Sequence, residues 1–373
     1  MSVAASFRAS ALRAMGTLHP TCGEQVMRGL LRLASVGYGA AVRARNVGYD
    51  SGLLRVHRLP CRVVCVGNLT VGGTGKTPMV LALAQAFARS GAKVCVILRG
   101  YGRRGAEAAV VSDGRDRLLP WQEAGDEAVL LASRLPGTPV IVGGDRVRAG
   151  ALALQRFGAD VLLLDDGFQH RRLQRDVDLV LLDATDPFGG GQLLPRGRLR
   201  EPMKSLGRAH AIVVTRADQA ADLTPLRQRL PWLASDRPVA WSAHRPVRLT
   251  DLQTGEARPI QALAGRSVLA VSGIANPEGF HRTLLGTGAT LTGALCYPDH
   301  HPFTGADRAR MAAEAKGLAV EWILTTEKDA VRLDASLPAG FPVLALGIAI
   351  ELIDGGRELE RLLGISLLGV ERG

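Results

Sequence analysis

The stretch VCVGNLTVGGTGKTP at residues 64–78 limits the possible folds more than any other part of the chain. An apolar run ends at Gly67 and Asn68, a small-residue turn follows, and Gly75-Lys76-Thr77 opens a helical pattern. A strand, a glycine-rich loop and a helix in that order make a cradle for phosphate. Small residues let backbone N–H groups turn inward, and the helix N-terminus adds positive potential. The full pattern is G-x-x-x-x-G-K-[ST], and here Thr70 stands at its first glycine. Gly72, Gly73, Thr74 and Gly75 still keep the loop small. Lys76 has the reach to meet β- and γ-phosphates, and Thr77 offers a hydroxyl to Mg²⁺. Pro78 falls in the first helical turn, where a missing N–H costs nothing. The bland alternative is a glycine-rich turn with an incidental lysine, and the flanking strand and amphipathic helix argue against it. The motif points to a nucleoside triphosphate without separating kinase from ATPase or GTPase.

The surroundings continue the alternation. Apolar runs at 62–67, 94–98, 139–142, 161–164, 178–182 and 211–215 read as strands, and 76–89, 125–134 and 146–157 as helices. This order predicts an α/β fold, a P-loop NTPase-like, doubly wound, mostly parallel sheet with ligands at the carboxyl ends of its strands. A proline-rich stretch at 231–260 reads as an irregular boundary. Beyond it, strands at 267–271, 322–325 and 342–345 and helices near 277–286 and 304–317 predict a second, smaller α/β domain. The expected division is a poorly ordered extension over 1–25, an N-terminal helix plus phosphate-loop domain over 26–240, and the smaller domain over 241–373.

Charge and composition narrow the partners. The net charge of +11 favours an anionic one, whether nucleic acid, an acidic membrane or a phosphorylated substrate. Aromatic residues make up only 4%, too few for base-stacking platforms, and the arginines are spread out, so membrane or phosphate ranks above nucleic acid. No run of about 18 apolar residues suggests a transmembrane helix, and no apolar signal core follows Arg8 and Arg13. The five cysteines form no C-x-x-C pair and read as buried thiols in a reducing cytoplasm. Residues 1–60 hold eight arginines, no lysine, and only Glu24 and Asp50 as acids. Within them, 26–45 is helical in period, with Val26, Leu30, Leu33 and Ala34 on one side and Arg28 and Arg32 on another. Two readings stand: a basic amphipathic helix lying on an anionic bilayer, or a helix packed on the core with a solvated basic face.

Further motifs carry chemistry. DVLLLDDGFQHRRL at 160–173 ends an apolar strand in Asp165-Asp166, the place for carboxylates that hold Mg²⁺. Two adjacent acids repel, and a cation compensates them. AGDEAVLLA at 124–132 sets Asp126 and Glu127 at a helix start, where capping explains them without chemistry. CYPDHHPFT at 296–304 gathers Asp299, His300 and His301. One histidine there can serve acid–base work or orient a carboxylate, whereas zinc lacks a second ligand cluster. RGYGRR at 99–104, GGDRVR at 143–148 and PRGRLREP at 195–202 place arginine beside glycine, suited to phosphate or to solvent. TRAD at 215–218 and TTEKDA at 325–330 are faint candidates for contacts to a nucleotide base.

Taken in order, VGNLTVGGTGKTP, RGYGRR, GDEAVLLA, GGDR, LLLDDGFQHRRL, DHHPFT and TTEKDAVRL resemble the tetraacyldisaccharide 4′-kinases, the lipid A 4′-kinases of Gram-negative bacteria. The resemblance runs from about residue 26 to about residue 345. It implies an ATP- and Mg²⁺-dependent phosphotransferase that converts a tetraacylated glucosamine disaccharide 1-phosphate to lipid IVA in lipid A biosynthesis. It implies Asp126 as catalytic base with His300 as its partner, although His301 is adjacent. It also implies Thr77, Asp165, Asp166 and Glu127 at the metal. Asn68, Arg99, Arg146, Gln169 and His170 are candidates for substrate contacts. The partners implied are the lipid-linked disaccharide and an anionic membrane surface, with no nucleic acid and no obligate protein partner. The implied location is peripheral, at the cytoplasmic face of the inner membrane, with the N-terminal helix docking there. A P-loop GTPase or metallochaperone-type switch ATPase is the alternative, and it leaves Asp126, His300 and the basic helix without a task.

Overall fold

The structure is a computed structural model and describes residues 22–100, 107–333, 337, 338 and 340–367. Residues 1–21 of the expected extension and 101–104 of the RGYGRR segment lie outside the described residues. The first element, α1 (Cys22–Asp50), starts earlier and ends later than the sequence periodicity suggested. Cys22 to Gln25 therefore belong to the helix.

The first half of the chain builds β1 (Arg62–Asn68), α2 (Lys76–Arg89), β2 (Val94–Leu98), β3 (Ala109–Ser112), the short α3 (Trp121–Ala124) and α4 (Asp126–Arg134). It continues with β4 (Val140–Val142), α5 (Arg146–Phe157), β5 (Val161–Asp165), β6 (Val177–Asp183), β7 (Ala211–Thr215) and α6 (Thr224–Leu233). The second half comprises β8 (Val239–Asp251), β9 (Ala257–Arg258), β10 (Ser267–Ser272), α7 (Pro277–Leu285), β11 (Thr290–Cys296) and α8 (Gly305–Gly317). It ends with β12 (Trp322–Thr326), α9 (Glu327–Leu333), β13 (Val343–Asp354) and α10 (Gly356–Leu363).

One 13-stranded sheet runs through both halves in the order β11-β10-β12-β13-β8-β7-β6-β1-β5-β2-β4-β3, with β9 on β8. It is parallel except where β13 meets β8, β3 meets β4 and β9 meets β8. Alternating β1 residues enter different cores, as the two-residue strand period requires. Val64 and Val66 pack with Met79 and Leu83 of α2, whereas Val63 and Cys65 face the core that contains Phe168 and Leu173. Both faces are covered, so the parallel strands read as unbroken apolar runs. Leu359 and Leu363 of α10 return to the first half and join the α2 core.

The proline-rich stretch expected to be irregular instead contains β8, 13 residues long. Pro246 is tolerated because the β8–β13 register shifts between Gly347 and Ile348, beside the Ile348–Pro246 pair, and a bulge needs no donor there. The β13 strand likewise runs on to Asp354, well past the apolar run that marked it. Besides β8 and the two-residue β9, two strands were absent from the sequence reading. β11 buries little of its length, and β3 is a four-residue antiparallel edge. Neither carries an apolar run long enough to read as a strand.

Candidate active site

The carboxyl ends of strands from both halves supply the site. β1 leads directly into the loop at 69–75 and then α2, whose N-cap Gly75 is left-handed at φ 83°. The register pairs Val66 with Asp165 and Asn68 with Leu181, which sets the acids of β5 beside the loop. Asp166 follows with φ 54°, a left-handed conformation that L side chains rarely adopt. His300 (φ 60°) and Arg216 (φ 52°) are left-handed as well. Strain of this kind, of order 1–3 kcal/mol each, persists where the surroundings over-determine it and clusters at functional sites.

Lys76 Nζ lies 3.6 Å from Asp166 Oδ1 and donates to Asn68 Oδ1 at 3.5 Å. Arg200 grips Asp166 in bidentate fashion at 2.7 and 2.8 Å and also donates to the Asn68 side chain. Burial pushes the Asp166 carboxyl up, but Lys76 and Arg200 more than reverse this and hold it far below the usual range. Asp165 differs. It is buried, and Oδ1 has no hydrogen-bond partner among the described residues. Burial, then the charge of Glu127, pushes its carboxyl up to about 7. An orphaned buried carboxylate oxygen beside two further acids, Glu127 and Asp166, fits a cation. Among the described residues no group of three or more His, Cys, Asp or Glu side chains forms a ready-made metal cage. Magnesium at nucleotide sites takes one or two carboxylates and completes its shell with phosphate and water, so none is needed.

Asp126 lies at the first turn of α4, and its Oδ1 accepts from Glu127 N–H at 2.9 Å. The carboxylate also receives His300 Nδ1 at 3.0 Å from each oxygen. Helix-start bonding and the histidine pairing therefore coexist. Burial raises the Asp126 pKa, but the His300 hydrogen bond and the charges of Lys328 and Arg332 outweigh it and hold the group below its ordinary value. His300 is raised in turn, first by that same bond. His301 faces elsewhere: Nε2 meets Asp307 at 2.9 Å, and the ring stacks on Tyr297.

Two basic residues complete this corner. Lys328 Nζ donates to Glu127 at 3.0 Å and to Asp299 at 3.3 Å, and lies 3.4 Å from His300 Nε2. Burial opposes its charge, yet Glu127, Asp126 and Asp299 hold the ammonium above its ordinary range. Arg332 pairs with Asp126 Oδ2 at 3.2 Å and with Asp329. The sequence reading offered Lys328 as a base contact, whereas the structure sets it against the acids of the Asp126 corner. It missed Arg332, whose four-residue spacing from Lys328 on α9 was the available signal.

The remaining candidates divide. Gln169 donates to the Asn68 carbonyl at 2.9 Å and so braces the loop entry. Arg146 is buried and donates to the carbonyls of Gly143 and Gly144, which leaves its charge near Asp165 and Asp166 but its side chain without exposed reach. Burial, then the charge of Arg146, pushes the half-buried His170 down to about 4. Arg99 is exposed. On the other flank of the loop, Thr70, Gly73 and Thr74 border a cavity of about 370 Å³ whose far wall includes Asn276 and Arg282 of the second half.

A profile of the tetraacyldisaccharide-1-P 4′-kinase family matches residues 27–365. The chain belongs to that family. The tetraacyldisaccharide 4′-kinase of Anaeromyxobacter sp. (strain K) is 46% identical over 341 residues, 90% of each chain. That of Geobacter metallireducens is 40% identical over 332 residues, 89% of this kinase and 96% of the other. A crystal structure of LpxK from Aquifex aeolicus in complex with ATP superposes with a TM-score of 0.71 at 32% identity, covering 91% of this kinase and 98% of that chain. The expected fold class and family thus hold, and the switch-protein alternative is not favoured. Among the described residues, no helix of the kinase is long and apolar enough to cross a membrane.

Proposed function

We propose that the chain transfers the γ-phosphoryl group of ATP to the 4′-hydroxyl of a tetraacylated glucosamine disaccharide 1-phosphate. The observation that carries the mechanism is the meeting of Asp126 with His300 from the other half, next to the strand-end acids beside the phosphate loop. The sugar oxygen forms a bond to the γ-phosphorus, the bond from phosphorus to the β–γ bridging oxygen breaks, and ADP leaves. The hydroxyl proton passes to Asp126. A carboxylate suffices as base because this proton leaves late in a loose transition state. His300 donates Nδ1–H to the carboxylate and so aims its free lone pair. Lys76 and the backbone N–H groups of Gly72, Gly73, Thr74 and Gly75 bind the β- and γ-phosphates. Thr77, Asp165 and Asp166, with Glu127 nearby, are the residues that would hold Mg²⁺, which neutralises charge on the transferring group. Because the base and its partner come from different halves, closure of the halves completes the site and excludes water.

The acceptor is a lipid, and α1 supports a surface-bound kinase. Leu31, Ser35 and Val42 face the body of the protein, Ser35 Oγ donates to the Leu193 carbonyl, and Tyr38 Oη donates to the Arg200 carbonyl. The opposite stripe leaves Val26, Leu30, Leu33 and Val36 58–71% exposed. A helix that buries one side and exposes an apolar stripe flanked by arginine suits an anionic bilayer surface, here the cytoplasmic face of the inner membrane.

The test is transfer from γ-labelled ATP to tetraacyldisaccharide 1-phosphate in detergent micelles with Mg²⁺. Label enters the lipid with the wild-type chain and collapses in Lys76→Ala and Asp126→Ala. Folded, ATP-binding protein that leaves the lipid unlabelled refutes the reading. Transfer that survives Asp126→Ala returns that residue to its helix-start role alone.

A further inference from the structure

The Thr215-Arg216-Ala217-Asp218 turn after β7 has no task in the proposed reaction. It does not offer Asp218 as a free acceptor for a nucleotide base, because Arg245 donates to it at 3.1 Å. Two of its side chains run to the phosphate loop instead, and Arg216 also pairs with Asp183. Thr215 Oγ1 donates to the Thr74 carbonyl and Arg216 Nη1 to the Gly73 carbonyl, both at 3.0 Å. The loop carbonyls are thus held from behind, which leaves the N–H groups for an anion.

The neighbouring strand β8 adds His244, 4% exposed. A Cβ built on Gly75 would lie 2.5 Å from His244 Nε2, so the ring edge abuts the last glycine of the loop. That Nε2 is buried with no hydrogen-bond partner among the described residues, and so is Oγ1 of Thr74, the residue before Gly75. Burial, then the Arg216 charge, keeps the imidazole neutral, so one ring nitrogen is an acceptor.

We propose that His244 is a positioning residue for nucleotide: when the loop tightens around a polyphosphate, Thr74 Oγ1–H donates to His244 Nε2. The bond forms only with the loop in its binding shape, so it lowers the free energy of that shape and raises affinity without touching the transferring group. The same His244 pairs with Ile350 across the antiparallel β8–β13 ladder that joins the halves, which anchors the imidazole to the longest ladder of the sheet.

The proposal rests on the loop binding nucleotide, and its test separates the two. Affinity of the full chain for a non-hydrolysable ATP analogue with Mg²⁺ is measured by calorimetry, alongside KM for ATP and kcat. His244→Phe weakens binding about tenfold and raises KM to match, while kcat at saturating ATP stays within twofold. His244→Gln, whose amide reaches the same place, recovers most of the loss. Thr74→Val weakens binding as much as His244→Phe, and the double variant is no weaker than either single one. Losses that multiply in the double variant overturn the proposal, as does a glutamine no better than phenylalanine or a fall in kcat at unchanged KM. Should the phenylalanine variant fail to fold, a His244→Asn, Thr74→Val cycle reads the same coupling, since asparagine lacks an atom at the Nε2 position. A wild-type chain that binds no nucleotide refutes the reading of the loop itself, whereas intact binding insensitive to His244 overturns only this inference.

Discussion

Removing His300 separates two ways in which it can serve Asp126. The Nδ1 contact spans 3.0 Å to each carboxylate oxygen, and the Asp126 side chain is only 5% exposed. A hydrogen bond to a charged group in such a place is worth about 1.5–3 kcal/mol. If that energy holds the carboxylate in its reactive orientation, His300→Ala lowers kcat by roughly 10- to 150-fold. The bond also lowers the Asp126 pKa, so the variant's acid limb moves to higher pH. Lys328 and Arg332 remain, however, and both also favour the ionised form. Asp126 therefore stays charged near neutrality, and the rate lost there measures orientation rather than protonation. The assay is lipid phosphorylation at saturating ATP from pH 5 to 9, for His300→Ala, Asp126→Asn and the double variant. Asp126→Asn loses on the order of 10²–10⁴ in kcat, and adding His300→Ala to it costs little more because the two act as a unit. Losses that multiply in the double variant refute the pairing argument. Full recovery of His300→Ala above pH 8 refutes the claim that orientation dominates.

Other consequences follow from the same geometry. Glu201 is fully buried and accepts from Asn46 of α1 at 3.0 Å, while Arg45 and Arg208 pair with it, so Glu201→Gln should lower stability by about 1–3 kcal/mol in thermal unfolding at neutral pH. Burial raises its pKa, but Arg208 chiefly reverses this and holds it below the usual value. Its contribution is therefore complete above the ordinary glutamate range and is lost as pH falls through the depressed folded value, and the two proteins converge in stability there. Leu30→Glu with Leu33→Glu on the exposed stripe of α1 should weaken sedimentation with anionic vesicles by roughly 150-fold or more, at about 1.5 kcal/mol or above per leucine. Thermal stability should be unchanged, because neither side chain packs on the body. Asp165→Asn should raise the Mg²⁺ concentration needed for half-maximal transfer severalfold, measured by Mg²⁺ titration at fixed ATP.

Much of the fold was legible because it is written in short periods. The bounds of β2, β7, α2 and α5 match the expected ones residue for residue, since each is an uninterrupted apolar run or an amphipathic period between glycine, proline or polar stops. β8 was not legible. Its three-residue pairing with β7 and ten-residue pairing with β13 override the proline signal, and only a ladder with a bulge at the right place can accommodate Pro246. Position along the chain could not decide between His300 and His301. The rings of Tyr297 and Phe303 and the Asp307 carboxylate take His301, and the left-handed backbone at His300 turns the other imidazole to Asp126.

The sequence by itself determined the phosphate loop, the strand-end acids and the strand–helix alternation, because dihedral freedom, residue size and periodicity act within a few residues of one another. Only the tertiary structure decided which charges meet. Asp126 and His300 are 174 residues apart, and Arg200 reaches Asp166 across 34. Such pairs depend on the order in which strands enter the sheet, because that order sets which strand-end loops are neighbours. Strand order is settled by packing of the whole core on both faces, and no local pattern records it.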